Sequence, residues 1–315
     1  MLDPALNKQS AIVFGSINLD LVARTARLPV PGETLQGREF FTAPGGKGAN
    51  QAVALARLGV TTQMVGRVGE DDFGSELLSA LKTAGVQTEC ILVDEAASSG
   101  VALISVDDSG ENQIVIVAGA NGCIDNTDLE CLNTLLPNAF ALLMQFEIPM
   151  PNILLAAQAA KQNGIKVILD PAPATTMPAE LYPLVDIITP NQTEAEQLVG
   201  FAVSDIDSAT ESANILLQRG VGCAIVKLGA TGVVCATPEE TFFVPAFPVT
   251  TVDTVAAGDA FNGALAAALV GRLSLQQAVV WGAAAGALAA SKPGAQSSLP
   301  TKEALIAFLQ ARGAI

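Results

Sequence analysis

An α/β fold with a largely parallel sheet covered by helices is what the sequence predicts, on two observations. Short β-rich runs alternate with longer helical patterns along most of the chain. The apolar supply is also large enough to bury a sheet on both faces: half of the 315 residues are apolar, 15% are charged and the mean hydropathy is +0.44. A chain of this length fits one such unit with a small appendage.

Taken in order, residues 11–17, 63–68, 141–146, 166–170, 186–189 and 223–227 read as strands. Residues 49–58, 73–84, 152–162, 194–199 and 209–219 carry helical periodicity. Two segments break the rhythm. Residues 21–42 hold Pro29, Pro31 and Gly32 among short extended pieces, and residues 99–118 read as two strands about the turn Asp107-Asp108-Ser109-Gly110. Neither has a crossover helix. They predict either a small β-sheet lid over one edge of a single domain, residues 1–315, or two ordinary edge hairpins. Residues 273–291 are uncharged but interrupted by Ser274, Gln276 and Gln277, so they predict a close-packed buried helix and not a membrane span.

Composition excludes whole classes of chemistry. There is no histidine, which removes Ser-His-Asp and Cys-His catalysis and histidine metal sites. Sixteen basic against thirty-one acidic residues give a net charge of −15, which disfavours nucleic acid and anionic membrane as partners. Cys90, Cys123, Cys131, Cys223 and Cys235 form no CxxC, so the expectation is five reduced thiols. The start of the chain, with Asp3, Pro4 and Asn7, lacks the basic segment and long apolar run of a signal peptide, which points to the cytoplasm.

Four segments carry chemistry. Pro44-Gly45-Gly46-Lys47-Gly48-Ala49-Asn50 opens a helical pattern, so its glycines allow close backbone approach with free amides, or simply form a structural turn. It is not a P-loop, because Phe41 and Gly48 stand where that motif needs Gly and Ser or Thr. In Asp253-Thr254-Val255-Ala256-Ala257-Gly258-Asp259, the small residues 256–258 leave helix N-terminal amides open to an anion. Asp259 then either accepts the proton of an attacking hydroxyl or only complements the helix dipole. Asn191 and Glu194, at a strand-to-helix junction, form a capping box or face the water shell of Mg²⁺. Lys227-Leu228-Gly229-Ala230-Thr231-Gly232 follows a strand and either turns the chain or lets a nucleotide lie on the backbone.

Together, in this order, these segments resemble the ribokinase or PfkB family of carbohydrate kinases over essentially the whole chain. Gly45 to Asn50 and Asp253 to Asp259 resemble its two signatures. Gly15-Ser16-Ile17-Asn18-Leu19-Asp20, Met144-Gln145-Phe146-Glu147, Pro171-Ala172-Pro173 and Gly294-Ala295-Gln296 resemble the ribokinase branch. The resemblance implies a three-layer α/β/α fold with a β-sheet lid, and ATP-dependent phosphorylation of ribose at O5. It implies that Asn18, Asp20, Gly46, Lys47, Asn50 and Glu147 hold the sugar and that Asp259 is the base in the turn Ala256-Ala257-Gly258. ATP would lie against Asn191, Lys227, Gly229, Ala230, Thr231, Gly232 and Gly258, with Mg²⁺ organised through water by Asn191 and Glu194. A monovalent cation, K⁺, would take Asp253, Val255, Ala289, Lys292, Gly294 and Ser298, and the lid would pair two copies as a homodimer.

The chain departs from the pattern at Ala283, where His or Asn often stands near adenine, and at Lys227, where Thr is commoner; Asp170 stands where Asn is also common and reads as loop support. Rival substrates within the family are a nucleoside, fructose or a keto-deoxy sugar acid. A nucleoside needs an aromatic wall, for which the lid segments offer Phe40 and Phe41, and an acidic sugar needs arginines, of which Arg24, Arg27 and Arg38 lie there. The rival from another class is a sugar-binding regulator without catalysis, against which the intact Gly258-Asp259 stands.

Overall fold

The protein is described by a computed structural model covering residues 10–315. Asp3, Pro4 and Asn7, which bear on the signal-peptide reading, lie outside the described residues.

The described residues open with β1 (Ser10–Phe14), then β2 (Asn18–Arg24) and β3 (Glu39–Gly45), and enter α1 (Lys47–Arg57). β4 (Thr61–Gly69), α2 (Asp72–Thr83) and β5 (Gln87–Asp94) follow, and then β6 (Gly100–Val106) and β7 (Asn112–Val117). α3 (Asn126–Leu135), β8 (Ala139–Gln145), α4 (Met150–Gln162), β9 (Lys166–Asp170), β10 (Ile187–Ile188), α5 (Gln192–Val199), α6 (Ile206–Gln218) and β11 (Ala224–Lys227) continue the alternation. The chain ends with β12 (Gly232–Ala236), β13 (Thr241–Pro245), α7 (Ala257–Val270), α8 (Leu275–Ala290) and α9 (Lys302–Gln310).

Nine strands form the main sheet in the order β13-β12-β11-β10-β9-β8-β1-β4-β5. It is parallel from β5 to β11 and antiparallel only at β12 and β13. Side chains alternate across a strand, and β1 shows the outcome. Ala11 and Val13 enter the core shared with α1, α2, α7, α8 and α9, whereas Ile12 and Phe14 enter the opposite core with α3 to α6. Burial on both faces is why these strands read as continuous apolar runs. The result is a three-layer α/β/α architecture.

The two rhythm-breaking segments meet in a separate four-stranded sheet, ordered β3-β2-β6-β7, which is the lid. β2 pairs antiparallel with β3 and parallel with β6, and β6 pairs antiparallel with β7. The strands run from Asn18 to Gly45 and Gly100 to Val117, so the first extends beyond residues 21–42 at both ends. β1 stops at Phe14, which frees residues 15–17 as the link into the lid.

More than half of the residues of α7 and α8 are Ala or Gly, and the two helices lie close. A Cβ on Gly282 of α8 would meet the Phe261 ring of α7 at 2.8 Å. Residues 273–291 are thus the buried helix expected, and no helix of the described residues is long and apolar enough to cross a membrane. The expectation of five reduced thiols is corrected. Cys90 on β5 and Cys131 on α3 are joined by a disulfide, with Cα atoms 5.8 Å apart, because α3 packs directly on that edge strand. Cys223 and Cys235 are free and buried on adjacent strands, and Cys123 is free and exposed.

Candidate active site

The substrate side is built where the link after β1 meets the start of α1. Gly46 caps α1 at φ 86°, a left-handed conformation that favours glycine, and a Cβ there would lie 2.7 Å from the Asn18 amide nitrogen. A Cβ on Gly48 would be equally close to the Ser16 nitrogen. The glycines let two backbone segments touch, which brings Asn18, Asp20 and Lys47 together. Glu147 closes the group: its Oε2 accepts from Ser16 Oγ at 2.5 Å and from the Lys47 amide at 3.2 Å, a carboxylate at the positive end of α1. Beside them lies a cavity of about 340 Å³ lined by Asn18, Asn121, Phe146, Glu147, Pro173 and, from the lid, Ile116.

Asp259, in the first turn of α7, is 5% exposed. Its Oδ2 accepts from Asn50 Nδ2 at 3.0 Å and its Oδ1 from Gln51 Nε2 at 3.1 Å. Burial raises the pKa of this carboxyl, the Lys47 charge opposes that rise and the Asp170 charge adds to it. Asn50 Oδ1 is buried without a partner, an acceptor turned to no protein donor. Just before it, Ala256 holds a left-handed φ of 57°, uncommon for a residue with a Cβ, and opens the turn at the helix start. Burial by itself would lower the Lys47 ammonium pKa, but Asp259, Asp170, Glu147 and Glu194 reverse the sign and hold it raised.

On the other side, β10 and β11 place Asn191 beside Lys227 through an isolated parallel bridge. Gly229, at φ 54°, faces open space, and Ala230 and Thr231 are exposed in the turn closed by Leu228 N to Gly232 O at 2.8 Å. Gly232 owes its identity to β13, since a Cβ would strike the Val244 carbonyl. The Asn191–Glu194 capping box is formed: Glu194 Oε2 accepts the Asn191 amide at 2.7 Å and Asn191 Oδ1 accepts the Glu194 amide at 2.9 Å. Each Glu194 oxygen then keeps a lone pair able to accept from a metal-bound water.

Asp253 joins the two halves of the loop pair below α7. Its Oδ1 accepts from Val255 N at 3.0 Å and its Oδ2 from Gly294 N at 2.9 Å. Ala289 O accepts from Lys292 N at 3.0 Å, and the buried Ser298 hydroxyl donates to Ala295 O at 2.7 Å. As ligands these groups offer oxygen alone, the donor type that hard cations take, and in the chain both Asp253 oxygens already accept from backbone amides. Ala283 sits half-buried on α8, away from any polar contact of its own type.

Four residues of the site escaped the sequence reading or its roles. Gln51 bridges Asp259 to Asp170. Gln145 Nε2 donates to Gln51 Oε1 at 2.7 Å and so fixes which way that amide points. Asn121 accepts from Ile17 N at 2.8 Å and donates to Asn18 Oδ1 at 2.7 Å, tying the lid end to the substrate side. Ser16 links Glu147 to α1. The only hint was position, since Ser16 and Gln145 each stand inside a motif segment and Gln51 directly follows one.

Asp20 supplies a pH-dependent expectation. Burial, with the Glu147 and Asp259 charges behind it, lifts its carboxyl from 3.8 to about 7. The native state therefore keeps a proton that the unfolded chain loses, so stability falls as pH rises from 3.8 to about 7 and stays at the lower level above. Asp20→Asn is expected to raise the melting temperature at pH 8 and to leave it unchanged at pH 4. An equal shift at both pH values would show that Asp20 carries no such burden.

Known proteins resemble the chain over nearly its whole length. The profile of the pfkB family carbohydrate kinases matches residues 8–302. The chain is 41% identical over 303 residues to the ribokinase of Haemophilus influenzae, covering 96% of this chain and 99% of that one. It is 35% identical to a deoxyribokinase of Salmonella typhi, over 94% of this chain and 97% of the other. The structure of Arabidopsis thaliana ribokinase complexed with ribose and ATP superposes with a TM-score of 0.89 at 33% identity, covering 96% and 99% of the two chains.

Proposed function

The chain belongs to the pfkB family of carbohydrate kinases, and we propose that it transfers the terminal phosphoryl group of ATP to O5 of D-ribose, giving D-ribose 5-phosphate and ADP. The observation that carries this reading is Asp259. Its carboxylate is buried at a helix N-terminus between two amide donors, with an unpartnered acceptor of Asn50 beside it. Asn18, Asp20, Gly46, Lys47, Asn50 and Glu147 hold the sugar. Asp259 takes the proton of O5, which forms a bond to the γ-phosphorus as the bond to the β-γ bridging oxygen breaks and its electron pair leaves on ADP. The amides of Ala256 and Gly258 stabilise the charge of the group in transfer, while that of Ala257 donates to Thr254 O at 3.2 Å and joins them on exchanging that bond for the phosphoryl oxygen.

The nucleotide lies along Asn191, Lys227, Gly229 to Gly232 and Gly258. Mg²⁺, carried with it and met through water by Asn191 and Glu194, supplies charge neutralisation at the phosphates. K⁺ held by Asp253, Val255, Ala289, Lys292, Gly294 and Ser298 supplies order to the loop pair below α7. The protein works in the cytoplasm, where ATP is available. The test is product formation from ATP with ribose against 2-deoxyribose, fructose and a nucleoside, each with and without K⁺. Ribose is expected to give the highest kcat/KM, and a higher value for any of the others removes this reading.

The lid also joins two copies. All six residues of β7 are exposed, and Phe40, Leu103, Val115 and Ile116 are each 46% or more exposed, a cluster of exposed apolar side chains of the kind that marks an interaction surface. Val115→Glu is expected to convert a dimer to a monomer by light scattering. An unchanged mass would place the subunit contact elsewhere.

A further inference from the structure

Lys227 stands at a position where this chain departs from the family pattern, and the fold puts it in contact with Asp170, which stands where Asn is also common. Lys227 Nζ donates to Asp170 Oδ1 at 3.2 Å, with the Asp170 side chain 3% exposed and the Lys227 side chain 14%. The ammonium is therefore the member of the pair that reaches the cleft. It lies 3.4 Å from where a Cβ on Gly258 would sit and 6.0 Å from the centre of the Phe261 ring, beside the open amide turn of α7. The other Asp170 oxygen, Oδ2, accepts from Gln51 Nε2 at 3.0 Å. The same nitrogen donates to Asp259 at 3.1 Å, so one amide group spans the two carboxylates, and Gln145 holds it in that orientation.

We propose that Lys227 is a phosphate-contacting residue that leaves Asp170 for the terminal phosphate when the nucleotide binds, and that the uncovered Asp170, a positioning residue held to Asp259 by Gln51, strengthens the base at that moment. This rests on the kinase reading above. A phosphate at the α7 amide turn presents a doubly charged acceptor within reach of Nζ, and charge-assisted bonds to phosphate are strong. Once Lys227 has moved, Asp170 is a like charge beside Asp259 with less to offset it, which favours uptake of a proton by Asp259. The other charges around this point are Lys47 from α1, Asp20 from the lid, Glu147 after β8 and Glu194 from α5, and none of them must move for the exchange.

Three variants test it: Lys227→Met, Asp170→Asn, which keeps an oxygen for Gln51, and the double variant. Affinity for a non-hydrolysable ATP analogue is read by calorimetry, and kcat against pH with ribose. Lys227→Met is expected to weaken the analogue by about tenfold or more while the ribose KM stays within about twofold. Asp170→Asn is expected to bind the analogue more tightly and to move the acid limb of kcat lower by about one pH unit. The double variant is expected to remain as weak toward the analogue as Lys227→Met. If the double variant regains wild-type affinity, the pair is a structural ion pair and the exchange is wrong. If the acid limb of the Asp170→Asn profile does not move, the link to Asp259 is wrong. A wild-type enzyme inactive on ribose would sink the kinase reading alone, because the calorimetric arm does not need turnover.

Discussion

Asp259→Asn is expected to lower kcat by about 10² to 10⁴, the usual share of a general base, with only a modest change in ribose affinity. The substitution is nearly isosteric. Asn50 and Gln51 donate to both oxygens of the carboxylate, and the replacement keeps one oxygen to accept from one of them. The fold should therefore persist, and the loss should fall on the step in which the hydroxyl proton is transferred. Kinetics on a variant with an unchanged melting curve give the clean measurement. Turnover within a few-fold of wild type would leave Asp259 as a dipole partner of α7 and no more.

Lys47→Met is expected to do nearly as much harm by a different route. Asp259, Asp170, Glu147 and Glu194 all act on this one ammonium, and removing it leaves Lys227, paired with Asp170, as the remaining cation named at this cluster. Losing one charge stabiliser at a reacting centre costs about 10² to 10³ in rate. The sign holds across the working range. A lysine whose pKa is raised in the fold stabilises fully below its unfolded value and loses that contribution only as pH rises through the folded value, which here lies in strongly alkaline solution. The variant should melt earlier at every pH from acid to mildly alkaline, and a pH-independent, wild-type melting curve would contradict the electrostatic account.

Much of this was readable from local pattern. The alternation of runs predicted the parallel sheet because burial on both faces writes continuous apolar strands, as in β1, β8 and β9. Lys47 and Asp259 were readable because each stands at a helix start, Lys47 among three glycines and Asp259 after the small residues 256–258. Asn191 and Glu194 left both of their roles open, and the capping box is the one that the fold forms. What stayed hidden was the wiring between segments. Gln51 meets Asp259 across 208 residues and Asn121 meets Ile17 across 104, and no spacing rule connects partners so distant. The Cys90–Cys131 disulfide escaped for the same reason, since a separation of 41 matches no redox or zinc motif.

The parallel pairing of β2 with β6 also governs how the molecule comes into being. Asn18 aligns with Gly100, so this one ladder closes a loop of about 80 residues that contains α1, β4, α2 and β5. Contacts that close long loops form late, because the entropy of closure must be met before they return any stabilisation. The shorter closures of the main sheet, β4 with β5 (Gln63 against Gln87) and β1 with β4 (Ser10 against Thr61), form before this ladder and hold the ends of that loop in place. The lid then zips onto a finished platform as a separate, less protected unit, so its amides should exchange with deuterium well before those of β1 and β8. Equal protection in both sheets would mean a single cooperative folding unit.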